Sequence, residues 1–532
     1  MNRFERYLFP QGPLVNFLTI VVLSGTFSAL LIGRQIFYAN WGILDDHEVF
    51  HYLGPTLHLP FSDIWSTLLE RTEVGTLEGR FRPSYYLIKV VESSFFGSDV
   101  HLWYLGNTIA FTMFLSSIWW VLRRFVGGWL SGALTIWISI LPLWADVWSR
   151  LGPSEIGGAA CVGAMIFATD FVLFSDSRRV GSASAIALAL ATIALMGMKE
   201  TFLPLAAGTA VVFILAWMRR KLSALLIVSL SLLILVSLAS EVLVVMRQTL
   251  GAGKDFYGNS TGLWPTIKFG IIGVLDGLLR TWWLYTLPII FLQLFNLLPR
   301  KSLGDWISNS NEAVWAYCFL ITMYAAQCAL YRSSFPHNSR YDFPAMLLVP
   351  LTCCILVSEI ASKARKHFPA RTMEYAQLIA ATFLFFALLV ANLGPPLALS
   401  TAVKTNIKVT NLFYNELQRL THAAKASPAF PIIIDAHGPF AYEPVLSLSF
   451  YLSSLGASNP ISVRYHPDDS YKGAFFDGAQ RSLLALQEAD SGAFTPLQKT
   501  LASHAPGCLS VGIDGQPDAS CSGFEVISRS TN

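Results

Sequence analysis

The chain has 532 residues, of which 53% are hydrophobic and only 13% charged. That balance excludes an ordinary water-soluble globule, because apolar runs repeatedly reach the roughly 20 residues a helix needs to cross a bilayer. The formal net charge of +3 is a small basic excess that sits in loops between apolar runs, which supports a membrane topology signal and no nucleic-acid role.

In chain order, the first apolar helix is expected over 14–37. Arg3 and Arg6 precede it and no small-residue cleavage site follows, so it reads as a signal anchor. Further spans are expected at 102–122, 126–146, 156–174, 182–197, 202–217, 222–245, 282–298, 313–331, 343–361 and 376–396, about eleven in all. A segment at 266–280 is apolar but carries Asp276 and Arg280 and reads as interfacial or re-entrant, since counting it would break the alternation of basic loops.

The basic clusters recur at alternate loops: Arg123-Arg124, Arg178-Arg179, Arg219-Arg220-Lys221, Arg300-Lys301, and Lys363, Arg365, Lys366 and Arg371. Lysine and arginine in short loops are retained in the cytoplasm, which predicts a cytoplasmic N-terminus and an extracytoplasmic C-terminal part. The expected organisation is a mainly α-helical polytopic domain over 1–399, with a long external loop at 38–100, and a small extracytoplasmic α/β domain over 400–532.

In the C-terminal part the pattern changes to short apolar runs between turn residues. Strands are expected at 431–435, 461–465, 509–513 and 524–527, and helices at 445–455 and 479–488. No GxGxxG or P-loop is present, so this part reads as a lid or acceptor platform. Cys508 and Cys521 lie in it and are expected to form a disulfide. Cys161, Cys318, Cys328, Cys353 and Cys354 fall in spans and read as small apolar side chains.

The predicted topology carries every unusual polar motif to the outer side. Asp45-Asp46-His47-Glu48 follows the first span, and Gly79-Arg80-Phe81-Arg82-Pro83-Ser84-Tyr85-Tyr86 lies in the same external loop. Arg150-Leu151-Gly152-Pro153-Ser154-Glu155, Lys199-Glu200 and His337-Asn338-Ser339-Arg340-Tyr341 occupy later external turns. Plain alternatives stand beside each. The acids could be a solvated loop, Arg80, Arg82 and Arg150 could bind lipid headgroups, Lys199 and Glu200 could pair with each other, and Arg340-Tyr341 could anchor an interface. His47 and His51, four apart, offer two metal ligands without a complete set. Taken together, carboxylates able to deprotonate a hydroxyl or hold a cation, and cations able to hold a phosphate, fit group transfer from a lipid phosphate to an acceptor hydroxyl.

The acidic pair, the GRxRPxYY segment, the RLGPxE loop, the Lys-Glu turn and the RYxxPA start of a late span together resemble the bacterial polytopic glycosyltransferases of the GT-C superfamily. That superfamily includes protein mannosyltransferases, aminoarabinose transferases, arabinofuranosyltransferases and oligosaccharyltransferases. The resemblance implies a polyprenyl-phosphate sugar donor in a bacterial plasma membrane and an acceptor approaching from outside, either an envelope glycan such as lipopolysaccharide or a surface protein. It implies a catalytic base at Asp45 or Asp46 and donor-phosphate contacts from Lys199, Arg150, Arg340 and Arg82. Glu48, His47, Arg80, Glu155, Glu200 and Tyr341 take supporting places. Branches of the superfamily differ in metal use, and the carboxylates here suffice for a divalent cation without demanding one. The rival readings are a lipid-linked sugar flippase or exporter and a non-catalytic membrane protein of envelope assembly. Transporters place ionisable groups near the bilayer midplane within inverted repeats, and the sequence has neither pattern.

Overall fold

A computed structural model describes residues 12–43, 46–54, 56–76, 81–126, 128–252, 264, 267–272, 275, 326–327, 340–344, 398–429, 431–470, 474–488 and 509–513. The spans expected at 282–298, 313–331, 343–361 and 376–396 fall almost wholly outside these residues, as do the 524–527 strand, Cys508 and Cys521.

The first helix, α1 (Pro13–Ile32), starts with proline in its first turn, where the missing N–H is no loss, and continues past Gly33 as a short helical turn, Arg34–Tyr38. The first loop holds α2 (Asp46–Leu53) and α3 (Pro83–Phe96). Gly97 ends α3 at φ 53, and a Cβ there would lie 2.9 Å from the His58 ring, so this turn requires glycine. Next come α4 (Val100–Val126), α5 (Gly128–Ser139), α6 (Ala145–Trp148), α7 (Glu155–Phe174), α8 (Arg178–Met196), α9 (Leu205–Met218) and α10 (Ala224–Ala252). Ser177 caps α8, its hydroxyl accepting from the Val180 amide.

Among the described residues, six helices are long and apolar enough to cross a membrane: Leu14–Ile32, Val100–Arg124, Glu155–Phe174, Arg178–Met196, Glu200–Met218 and Ala224–Met246. They coincide with six of the expected spans. The 126–146 span takes a different form: Ser131–Ser139 and Pro142–Trp148 meet at 51°, so the pair is a broken span or a re-entrant loop. Pro142 explains the break, because its ring clashes with the preceding turn and it has no N–H to donate.

Of the four hydrophobic cores among the described residues, two position the polar motifs. One lies among the apolar helices and centres on Phe111, Phe114, Trp144, Trp148, Val162 and Phe202. The other joins the first loop to the C-terminal part and contains Trp41, Val49, Phe50, Trp103, Phe413, Ile434, Leu448 and Tyr451. The link between them is α11 (Ala398–Ala426), in whose first turn the expected 399/400 boundary falls. Its buried residues Leu399, Val403, Thr410, Phe413, Leu417, Leu420 and Ala424 recur at helical spacing along one face. Polar residues tie it to the end of α1: the Asn406 amide donates to Gln35 Oε1 at 3.1 Å and to the Tyr104 hydroxyl at 2.9 Å, and Asn411 donates to the Tyr38 carbonyl at 2.7 Å.

After α11 come β1 (Ile432–His437), α12 (Tyr442–Ser454), β2 (Ile461–His466), α13 (Ala474–Glu488) and β3 (Leu509–Ile513). The strands form a parallel sheet in the order β2-β1-β3, with Ile434 opposite Val463 and Val511. These elements match the expected strands and helices of the region to within a few residues.

Candidate functional site

The turn between α8 and α9 builds the most concentrated polar cluster among the described residues. Gly197 closes α8, and its carbonyl accepts from the amides of Ser84 and Tyr85 at 3.0 and 3.2 Å. These are N-terminal donors of α3 that its own helix cannot satisfy, so the end of one helix completes the start of another. This junction brings Arg82, just before α3, beside the Lys199-Glu200 turn. Arg82 Nη2 lies 3.4 Å from Glu200 Oε2.

Lys199 points elsewhere, donating to Glu155 at the start of α7. Both side chains are nearly fully buried. A buried ion pair is sustained only when each charge keeps its partner, and removing one member typically costs about 3–5 kcal/mol. Burial pushes the Lys199 ammonium down from the ordinary lysine value to about 8; Glu155 opposes this, and the positive charges of Arg82 and Arg340 add to it. The Lys199 nitrogen also lies 4.8 Å from the centre of the Tyr341 ring, and the Arg340 guanidinium lies 5.4 Å from the same ring.

The Arg340–Asp342 turn is docked by its neighbours. Gln327 donates to the carbonyls of Tyr341 and Phe343 at 3.0 and 2.7 Å, and the Phe343 ring wedges between Trp144 and Phe202 at 5.3 and 5.4 Å. Lys199, Arg82, Arg340, Glu155, Glu200 and Tyr341, taken from four separate motifs, thus share one cluster. The mutual Lys199–Glu200 pair is replaced by two pairs to other elements. An anion entering here would compete with the two glutamates for three cations.

The acidic loop forms a second cluster. Asp46 is buried, and its Oδ2 accepts from the Gly42 amide at 2.8 Å. A Cβ on Gly42 would meet that oxygen at 3.0 Å. The Tyr451 hydroxyl of α12 donates to the Gly42 carbonyl at 2.8 Å, and burial together with the charge of Asp46 pushes the phenol well above its ordinary range. Asp45, Arg80 and the side chains of His47 and Glu48 lie outside the described residues. His51 packs its ring 4.7 Å from Phe450, and burial, helped by Arg71, lowers its basicity.

Segment 148–155 joins the two clusters, and side chains from three elements hold it. Gln35 donates to the Trp148 carbonyl at 2.9 Å, Asn107 to the Arg150 carbonyl at 3.0 Å and the Tyr85 hydroxyl to the Gly152 carbonyl at 2.8 Å. Arg150 lies within electrostatic reach of Tyr104, as does Asp46, so Arg150 belongs to the acidic side while Glu155 belongs to the Lys199 side.

The opposite end of the helices is basic. Arg124 pairs with Asp170 at 2.5 Å, Arg123 covers the Trp120 ring at 3.8 Å, Arg124 and Arg219 both lie over Phe174, and Lys221 donates to the Ser175 carbonyl at 3.0 Å. The motif clusters and the basic loops therefore occupy opposite ends of the described apolar helices.

A third polar group, absent from the sequence reading, lies at the carboxyl end of the sheet, where Asp435, His437 and His466 converge. The Asp-x-His alternation of β1 is its local signal. No protein-family model matches the chain, and no similar curated protein is found.

Proposed function

We propose that the chain is a polytopic membrane glycosyltransferase. It transfers a sugar from a polyprenyl-phosphate donor to a hydroxyl of an extracytoplasmic acceptor, either an envelope glycan or a surface protein. The observation that carries this reading is the gathering of Lys199, Arg82 and Arg340 at one end of the apolar helices. A donor whose chain lies in the bilayer presents its phosphate at that depth. Asp45 is the base and buried Asp46 positions it. Asp45 takes the acceptor proton, the acceptor oxygen bonds to the anomeric carbon, and the bond from that carbon to the phosphate oxygen breaks. The electron pair leaves with the polyprenyl phosphate, held by Lys199 and the two arginines, and configuration inverts.

In this reading the chain has about eleven spans in a bacterial plasma membrane, with its N-terminus cytoplasmic and residues 400–532 outside. The segregation of basic loops from motif clusters supports that orientation. The deciding experiment gives detergent-purified protein synthetic polyprenyl-phosphate sugars and measures transfer or hydrolysis of the labelled sugar. Translocation of the intact lipid-linked sugar in liposomes, with no cleavage, would replace the enzyme by a flippase.

A further inference from the structure

The carboxyl ends of β1 and β2 carry a group that the glycosyl-transfer reading does not use. Asp435 and His437 alternate along β1 and so lie on one face of the sheet, and His466 is the register partner of His437 on β2. The His466 Nε2 lies 2.8 Å from Asp435 Oδ1, and the His437 Nε2 lies 3.8 Å from the same oxygen. The two imidazoles stack with their centres 4.4 Å apart and their planes 9° from parallel.

From this geometry we infer a binding site for one divalent ion of the zinc class, held by the Asp435 carboxylate and the Nε2 atoms of His437 and His466. One ligand atom from each residue lies within 4.8 Å of the others. Zinc bonds near 2.1 Å at tetrahedral angles put ligand atoms about 3.4 Å apart, inside the range these atoms span, so small side-chain rotations complete the set. Among the described residues, the buried His437 Nε2 has no hydrogen-bond partner, although the rest of its ring is partly exposed. An unfilled imidazole nitrogen beside a buried carboxylate is a costly arrangement that a cation would satisfy.

Two imidazoles and one carboxylate favour zinc and its neighbours over calcium or magnesium, which take oxygen sets. The position agrees with the general placement of ligands outside the carboxyl ends of parallel strands. Gly438 follows at φ 69, and its amide donates to the His466 carbonyl at 3.1 Å, fixing the two histidine-bearing strand ends side by side. Arg464 is the register partner of Asp435 on β2.

The test uses the full chain, purified in detergent through a tag without histidine, stripped with chelator and dialysed against zinc. Bound metal is counted by mass spectrometry, and the visible spectrum is recorded after cobalt substitution. The expected result is one equivalent of zinc whose affinity falls on the order of tenfold or more in His437→Ala and in Asp435→Asn, with loss of the cobalt bands. Among the described residues the His437 Nε2 makes no hydrogen bond, so an unchanged thermal midpoint of metal-free His437→Ala is expected and separates its loss of metal from unfolding. His466→Gln keeps a donor toward Asp435 and controls for the strand contact. A wild-type protein that retains no zinc, or equal retention by wild type and His437→Ala, would overturn the site and leave a hydrogen-bonded Asp–His pair.

Discussion

The Tyr451 hydroxyl donates a 2.8 Å hydrogen bond to the Gly42 carbonyl, joining the sheet-bearing part of the chain to the acidic loop across 409 positions. The bond is buried, and the same Tyr451 ring packs against Phe50 and Phe413 at 4.8 and 5.4 Å. Tyr451 thus adds a directional tie at the acidic cluster to the apolar core that joins the first loop to the C-terminal part.

Tyr451→Phe keeps the ring and removes only the donor, leaving a buried carbonyl unsatisfied. The expected loss is about 1–3 kcal/mol, read as a lower midpoint in thermal denaturation of the detergent-purified protein. An unchanged midpoint would mean that another group reaches the Gly42 carbonyl.

The two aspartates should separate in their responses. Asp45→Asn should lower sugar transfer by about 10²–10⁴ with no change in stability, as loss of a base does. Asp46→Asn keeps an oxygen able to accept from Gly42 and should hold its thermal midpoint, whereas Asp46→Ala orphans that amide and should cost about 1–3 kcal/mol. Near wild-type transfer by both asparagine variants would make the acidic loop purely structural.

On the proposed function, Lys199 should set a pH limit on donor binding. With its ammonium held down to about 8, the charged form that attracts phosphate is complete below that pH and is lost as pH rises through it. Donor affinity should therefore fall on the alkaline side of pH 8. Lys199→Arg should move that limb upward, because a guanidinium stays charged. A wild-type binding profile flat to pH 10 would count against Lys199 as a donor contact.

Gly197 tests the junction of α3 with α8. A Cβ there would stand 2.4 Å from Ser84 Oγ and 3.0 Å from the Ser84 amide nitrogen, so Gly197→Ala must push α3 away or bend the turn. The expected cost is about 1–3 kcal/mol together with weaker donor binding, since Arg82 and Lys199 flank the contact. Adding Ser84→Gly removes the hydroxyl clash but not the backbone one and should restore only part of the loss.

Six spans were legible because bilayer-length apolar runs declare themselves, and the alternation of basic loops put Lys199, Arg82 and Arg340 on one expected side without saying that they meet. The pairing inside the cluster was not legible. Lys199 is extended, at φ −168 and ψ 146, so its side chain and that of Glu200 diverge, and neighbours in sequence choose different partners. Helix α11 is not among the expected elements because its apolar face is a stripe on an otherwise polar segment, too dilute for a span. Asp435 and His466 are 31 positions apart, and only the parallel register of β1 and β2 makes them neighbours.

The segment from Trp148 to Gly152 is stitched at every second carbonyl, to three different parts of the chain. Such a segment has little freedom left to lose when a ligand arrives. On the proposed function, it would hold the distance between the acidic loop and the cation cluster fixed, like a gauge bar for the two ends of a bound molecule. Discrimination by length would then be built into the backbone, independent of the chemistry of either end.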